Sequence, residues 1–132
     1  SVPLNVEKGY ALIRRHWRSG DQVALDLPMP IQRVLSHEAV EGNRGRIAFQ
    51  RGPLVYCAEE EDNGKVLSIT IDDKTEWMDE ARSDLLGGVT VLMGRGMREG
   101  RDVPIMLIPY YAWANREAGE MAVWLRKREG SD

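Results

Sequence analysis

The strongest constraint on this chain is a hydrophobic period of two, carried by short runs between turn-forming residues. Val23, Leu25 and Leu27 alternate with Gln22, Ala24 and Asp26. Tyr10 to Trp17 alternates as well, with Ala11, Ile13 and Trp17 on one phase. Val66 to Ile71 reads Val-Leu-Ser-Ile-Thr-Ile. Successive side chains of a strand point to opposite faces, so this period predicts half-buried strands.

Punctuation places the strands. Ser19-Gly20-Asp21 reads as a turn joining 10–17 to 23–27 in a hairpin. Pro28 and Pro30 end the second arm, because proline cannot donate to a ladder. Further strands are expected at 31–36, 46–50, 53–57, 66–71, 89–93, 103–108 and 121–125. Glu41 to Gly45 is loop chemistry, and Gly52-Pro53 marks a bend. Between 76 and 86, Trp77, Met78, Ala81, Leu85 and Leu86 fit helical spacing loosely, so one short helix is expected there. Met93 to Asp102 carries Gly94, Gly96 and Gly100 and reads as a mobile loop, 93–102. Many short strands with such turns predict an all-β fold, an antiparallel β-sandwich of jelly-roll type.

At 132 residues the chain suits one domain, 1–132, with a substantial core. Hydrophobic residues at 42% and charged residues at 30% are ordinary for a globular protein. The net charge of −3 offers no basic excess for nucleic acid or anionic lipid. No apolar run is long enough to span a membrane as a helix. The lone cysteine, Cys57, excludes an internal disulfide and a multi-thiolate metal site. No signal-peptide pattern opens the chain, but in a fragment that says nothing about where the parent protein goes, so localisation is left open with the cytoplasm weakly favoured.

Three strings then stand out. The first runs from Gly9-Tyr10-Ala11-Leu12-Ile13-Arg14-Arg15-His16-Trp17 through Gly20-Asp21 to Leu25-Asp26-Leu27-Pro28-Met29-Pro30. The second runs from Asn43-Arg44-Gly45-Arg46-Ile47 through Arg51-Gly52-Pro53-Leu54-Val55-Tyr56-Cys57. The third is Ile108-Pro109-Tyr110-Tyr111-Ala112-Trp113-Ala114-Asn115-Arg116, followed by Gly119-Glu120-Met121 and Val123-Trp124. Together they resemble the C-terminal region of glycoside hydrolase family 127, the β-L-arabinofuranosidase family. The resemblance covers about 2–62 and 103–125, whereas 64–102 reads as a variable insertion.

The resemblance implies a preceding (α/α)6 barrel, in which a zinc-bound cysteine is the nucleophile and a glutamate the acid/base. This chain contains none of that barrel, and Cys57 matches neither nucleophile nor zinc ligand. No catalytic residue, no metal ligand and no cofactor is therefore assigned here, and any zinc belongs to the parent's catalytic domain. The resemblance also implies further sandwich strands before Ser1, a truncated N-terminal side.

Several constellations have a bland and a sharp reading. Glu59-Glu60-Glu61-Asp62 could suggest a calcium site or a carboxylate pair. A glycosidase pair stands roughly 5–10 Å apart across a cleft, and neighbours on a strand point to opposite faces. A solvated strand end is the expectation. His16, His37 and Cys57 match no zinc spacing and are read as packed or surface residues. The glycines at 94, 96 and 100 lack the context of a phosphate loop. Tyr110, Tyr111 and Trp113 are the best candidates for stacking on a sugar. A strand would put Tyr111 and Trp113 on one face, with burial in the core as the competing and favoured reading. Trp17 and Trp124 are expected in the core. Arg51, Gly52, Asn115 and Arg116 are candidates for pinning loops or facing the catalytic barrel.

The leading function is therefore a non-catalytic C-terminal β-sandwich domain of a glycoside hydrolase, with the helical barrel as its partner. A carbohydrate-binding module and a self-associating interaction domain, pairing as a homodimer through an exposed strand edge, are the alternatives.

Overall fold

The computed structural model describes residues 1–129. Eleven strands and one short helix follow in order. They are β1 (Asn5–Glu7), β2 (Tyr10–Leu12), β3 (Ile31–Val34), β4 (Arg46–Arg51), β5 (Leu54–Glu59), α1 (Glu60–Asn63), β6 (Thr70–Ile71), β7 (Met78–Arg82), β8 (Val89–Arg98), β9 (Arg101–Pro109), β10 (Met121–Ala122) and β11 (Leu125–Lys127).

The all-β class holds, but the architecture is a ring. The main sheet runs β10-β5-β9-β8-β6-β11-β4-β3, and β4 also pairs with β5. That pairing closes β4, β5, β9, β8, β6 and β11 into a six-stranded barrel. Closure removes edges that a two-layer sandwich would expose. The ladder is antiparallel except between β11 and β6, where Arg126 pairs with Thr70 and Lys127 with Ile71.

Alternation fills the barrel. Ile47 and Phe49 of β4, Tyr56 and Ala58 of β5, Leu92 of β8, and Ile105 and Leu107 of β9 are buried in one cluster. The opposite phase of the same strands is buried too. Cys57 and Ile108 join Val89, Val91 and Ala112 in a second cluster outside the ring. The segment after β9 and the turn before β8 cover that outer cluster, with Leu85, Leu86 and Val123 packed against it.

The strand expected at 66–71 is reduced to Thr70–Ile71, because Val66–Ser68 forms a 3₁₀ turn. Four further expectations are corrected. Residues 76–86 form no helix: Met78–Arg82 is a strand paired to Val89–Met93 of β8, followed by a turn. Trp77 explains the choice. Its ring lies 4.4 Å from that of Phe49, and this anchor sets β7 against the sheet, a tertiary contact that overrides weak helical spacing. Residues 93–102 are not a loop but the arms of the β8–β9 hairpin, with its turn at Glu99-Gly100. Gly94 serves close packing inside that strand, because a Cβ there would sit 2.5 Å from the Trp77 indole.

The third correction concerns the first thirty residues. β2 pairs with β1, not with 23–27, and the two make a ribbon apart from the main sheet. Val23, Leu25 and Leu27 lie unpaired and exposed, as does Trp17, which was expected in the core. Arg15 lies over the Trp17 ring at 5.3 Å. Trp124, the other core candidate, is half-buried.

The fourth concerns the acidic run. Glu60–Asn63 is a helical turn, and Glu59 at its start is buried rather than solvated. Asn63 locks the turn to the barrel: its amide donates to the carbonyls of Glu59 and Met106, and its Oδ1 accepts from the Met106 N–H.

Candidate functional site

β9 ends at Pro109, and Tyr110–Ala112 forms a 3₁₀ turn, with the Trp113 N–H donating to the Tyr110 carbonyl at 3.1 Å. This geometry reverses the expected pairing of aromatics. In a 3₁₀ turn residues three apart eclipse, so Tyr110 and Trp113 share a side. Their rings stack at 5.8 Å between centroids with 26° between planes. Tyr111 points elsewhere and is the most open of the three, at 66% exposure. None of the three is buried, so the core reading fails for all of them.

Asn115 and Arg116 fix this turn. The Asn115 amide donates to the carbonyls of Ala112 and Trp113, while Ala114 takes a left-handed φ of 64°. Arg116 grips Asp62 with both terminal nitrogens, at 2.7 and 2.5 Å, and lies 3.7 Å from Glu59. The paired carboxylate of Asp62 pushes the Arg116 guanidinium further up from its ordinary value. Two arms of the chain, separated by 54 residues, are thereby tied by a largely buried fork. No local pattern in the sequence signals that partnership.

Tyr111 also walls a groove of about 350 Å³ with Arg51, Leu54, Arg82, Thr90 and Pro109. Both arginines are already paired. Arg51 Nε lies 3.1 Å from Asp79 Oδ2, and Arg82 forks onto Asp84 at 2.9 and 2.8 Å. The Arg82 hydrogen bonds hold the Asp84 carboxyl down at about 2. Beside Arg51, the Tyr56 hydroxyl donates to the Thr90 carbonyl at 2.8 Å. Burial raises that phenol, partly opposed by Arg51.

Gly52, next to Arg51, turns β4 into β5 with φ +54°. A Cβ there would meet the Met29 side chain at 2.7 Å, so the root of the N-terminal arm packs on this turn. Of the seven residues singled out from sequence, the structure gathers Arg51 and Tyr111 in one groove. Tyr110, Trp113, Asn115 and Arg116 form the adjoining turn, and Gly52 lies behind Arg51. Sequence reasoning missed Asp79 and Arg82, which come from the segment read as an insertion, and it read Asp62 as solvated rather than paired with Arg116.

The remaining chemistry-bearing groups stay apart. Cys57 is buried, and desolvation pushes its thiol up to about 12, far from a thiolate at neutral pH. Among the described residues no three His, Cys, Asp or Glu side chains converge as a metal site.

Comparison with known proteins places these features. The profile described as glycoside hydrolase family 127 C-terminal domain matches residues 31–126. The chain is 36% identical over 128 residues to the non-reducing end β-L-arabinofuranosidase of Bifidobacterium longum, covering 80% of this chain and 20% of that protein. A family 127 β-L-arabinofuranosidase from Geobacillus stearothermophilus T6 superposes with a TM-score of 0.83 at 41% identity, over 93% of this chain and 22% of that one. A second family 127 β-arabinofuranosidase gives 0.81 at 33% identity, over 96% and 22%. The chain thus spans about a fifth of the length of the relatives it matches.

Proposed function

Because the chain belongs to the family of glycoside hydrolase family 127 C-terminal domains, we propose that it serves as the non-catalytic C-terminal part of a β-L-arabinofuranosidase-like hydrolase. Its role is to support a catalytic domain that lies outside these 132 residues. The observation that carries this reading is the match itself: it takes in every ring strand but the last residue of β11, and only a fifth of each relative.

The chemistry agrees. A glycosidase nucleophile must be ionised and accessible, and the Cys57 thiol is neither. A zinc ion of the kind the resemblance implies has no fitting ligand set around Cys57, so in this reading zinc belongs to the rest of the enzyme. The test is to assay the full-length protein and this chain separately on an aryl β-L-arabinofuranoside. Activity of the full-length protein with none from the chain is expected. Turnover by the chain alone, or an inactive full-length protein, overturns the reading.

Within it, the arm before β3 is the contact surface for the rest of the polypeptide. Leu4, Tyr10, Leu25 and Leu27 are each at least 69% exposed, a large apolar area for one segment. The solved relatives match 93–96% of this chain, so most of the arm has the same path in proteins that are much longer. Self-association through the same arm is the competing reading. Light scattering on the full-length protein separates the two: a monomer favours an intramolecular cover, a dimer the second copy.

A further inference from the structure

We infer that the stacked Tyr110–Trp113 pair is the contact through which this domain docks on an apolar protein surface supplied by the rest of its own polypeptide. This deepens the proposed function by naming a docking point inside the matched domain, and it rests on that reading for the larger enzyme.

The first argument is exposure without a local reason. Tyr110 and Trp113 are 45% and 42% exposed. Val55, one step beyond the Tyr56–Pro109 pair on β5, is 42% exposed as well. Apolar residues scattered singly on a surface need no explanation, but large aromatic side chains gathered on one turn do. Tyr and Trp are enriched at the centres of interfaces, where each brings a large contact area with few rotamers to freeze.

The second argument is how firmly the pair is held. The two rings already stack at 5.8 Å between centroids. Ala114 keeps a left-handed φ of 64°, a conformation that an L side chain holds only when its surroundings impose it. Asn115 imposes it from one side, donating to the Ala112 and Trp113 carbonyls, and Arg116 from the other, forked onto Asp62. Neither ring joins the barrel's two core clusters. A strained turn with polar bracing that buries none of its aromatic rings holds them ready for a surface outside. Rings fixed before contact lose little entropy when it forms.

The third argument selects the partner. A sugar site sets free donors and acceptors beside an aromatic face. Here the Asn115 amide hydrogens and the Arg116 terminal nitrogens are spent on the chain itself, so the pair presents ring surface flanked by Val55. That suits a protein surface. The relatives are about five times as long as the part they share with this chain, and the solved ones superpose over 93–96% of it. The large protein surface that accompanies this domain therefore belongs to the same polypeptide. The family match at 31–126 takes in the turn and leaves the N-terminal arm outside, so the pair is a feature of the domain itself.

The experiment is hydroxyl-radical footprinting of the full-length protein, read by mass spectrometry and normalised to the rates in urea. Tyr110 and Trp113 should be protected about tenfold, as for the fully desolvated centre of an interface. Protection of only about twofold, which their 45% and 42% exposure in this chain already gives, overturns the inference. Protection that vanishes on dilution to a monomer, followed by light scattering, assigns the pair to a second copy and overturns it too. Protection that needs added arabinan assigns the pair to a sugar, with the same consequence. Trp113→Ala should raise the reactivity of side chains outside these 132 residues, and Trp113→Phe should restore the parent pattern. New reactivity confined to these residues means a structural role and no docking. Activity on the aryl β-L-arabinofuranoside is measured in parallel. An active enzyme with an unprotected pair sinks the docking contact alone, whereas an inactive one sinks the proposed function.

Discussion

Leu25 and Leu107 stand at equivalent places in their local sequences, each at an alternate position of a short apolar run. Leu107 is 1% exposed and Leu25 is 72% exposed. The run around Leu107 pairs with β8 on one side and β5 on the other, inside the closed ring. The run from Val23 to Leu27 pairs with nothing among the described residues. Alternation therefore reports that a segment needs a cover. It does not say whether the cover is in the same domain. The ring supplies its own, whereas Val23, Leu25 and Leu27 of the arm stay exposed.

The aromatic turn at 110–116 sharpens this contrast, because it lacks sheet pairing like the arm yet is held like the ring. Its restraint is polar. Arg116 leaves two carboxylates, Asp62 and Glu59, nearly buried around one cation. Arg116→Ala strands both, and breaking a buried pair from one side costs about 3–5 kcal/mol. We expect a loss toward the lower end of that range, since the guanidinium side chain is 17% exposed. Urea unfolding measures it. A loss under about 1 kcal/mol, the size of a solvent-exposed pair, would show that the turn is held by something else.

Leu107→Ala tests the ring half of the comparison. It removes the Cγ and both Cδ methyls from the cluster that Leu107 shares with Phe49, Tyr56 and Leu92. Large-to-small changes at such sites cost roughly 2–5 kcal/mol, depending on how far the cavity relaxes. The midpoint should fall with the slope unchanged, as for a stability effect on one cooperative unit. A split transition would show that the ring is not a single unit.

The two regions also explain what the sequence could and could not reveal. β4, β5, β8 and β9 were legible because their alternation is strong and their turns carry Gly-Pro or Gly. Closure into a ring was not, because β11 pairs with strands far back in the chain, β4 and β6, and contributes only Leu125–Lys127. The insertion reading of 64–102 failed for a related reason. Trp77 and Gly94 make sense only together, one supplying a ring and the other the space for it. In the site, the residues were found but their facing was wrong. Tyr110, Tyr111 and Trp113 were read on a strand, and one 3₁₀ turn after Pro109 moved Trp113 to the side of Tyr110. Asp62 was read as part of a solvated strand end and Asp79 went unremarked, because an acidic residue reads the same whether its partner is water or an arginine many residues away.

The smallest effect is the most discriminating. Leu25→Ala in the 132-residue chain should change stability by no more than about 0.5 kcal/mol, the range for surface substitutions, because its side chain touches solvent. The same substitution in the full-length protein should behave like Leu107→Ala, with a loss of at least about 2 kcal/mol, if the rest of the enzyme buries the arm. Thermal or urea unfolding of both lengths gives the pair of values. Equal, small losses would mean that the arm stays solvated in the whole protein and that its apolar alternation has no cover there. Equal, large losses would mean that the arm already packs within this chain, most simply by pairing with a second copy. Only the unequal result fits an arm whose hydrophobic face is completed from outside these residues.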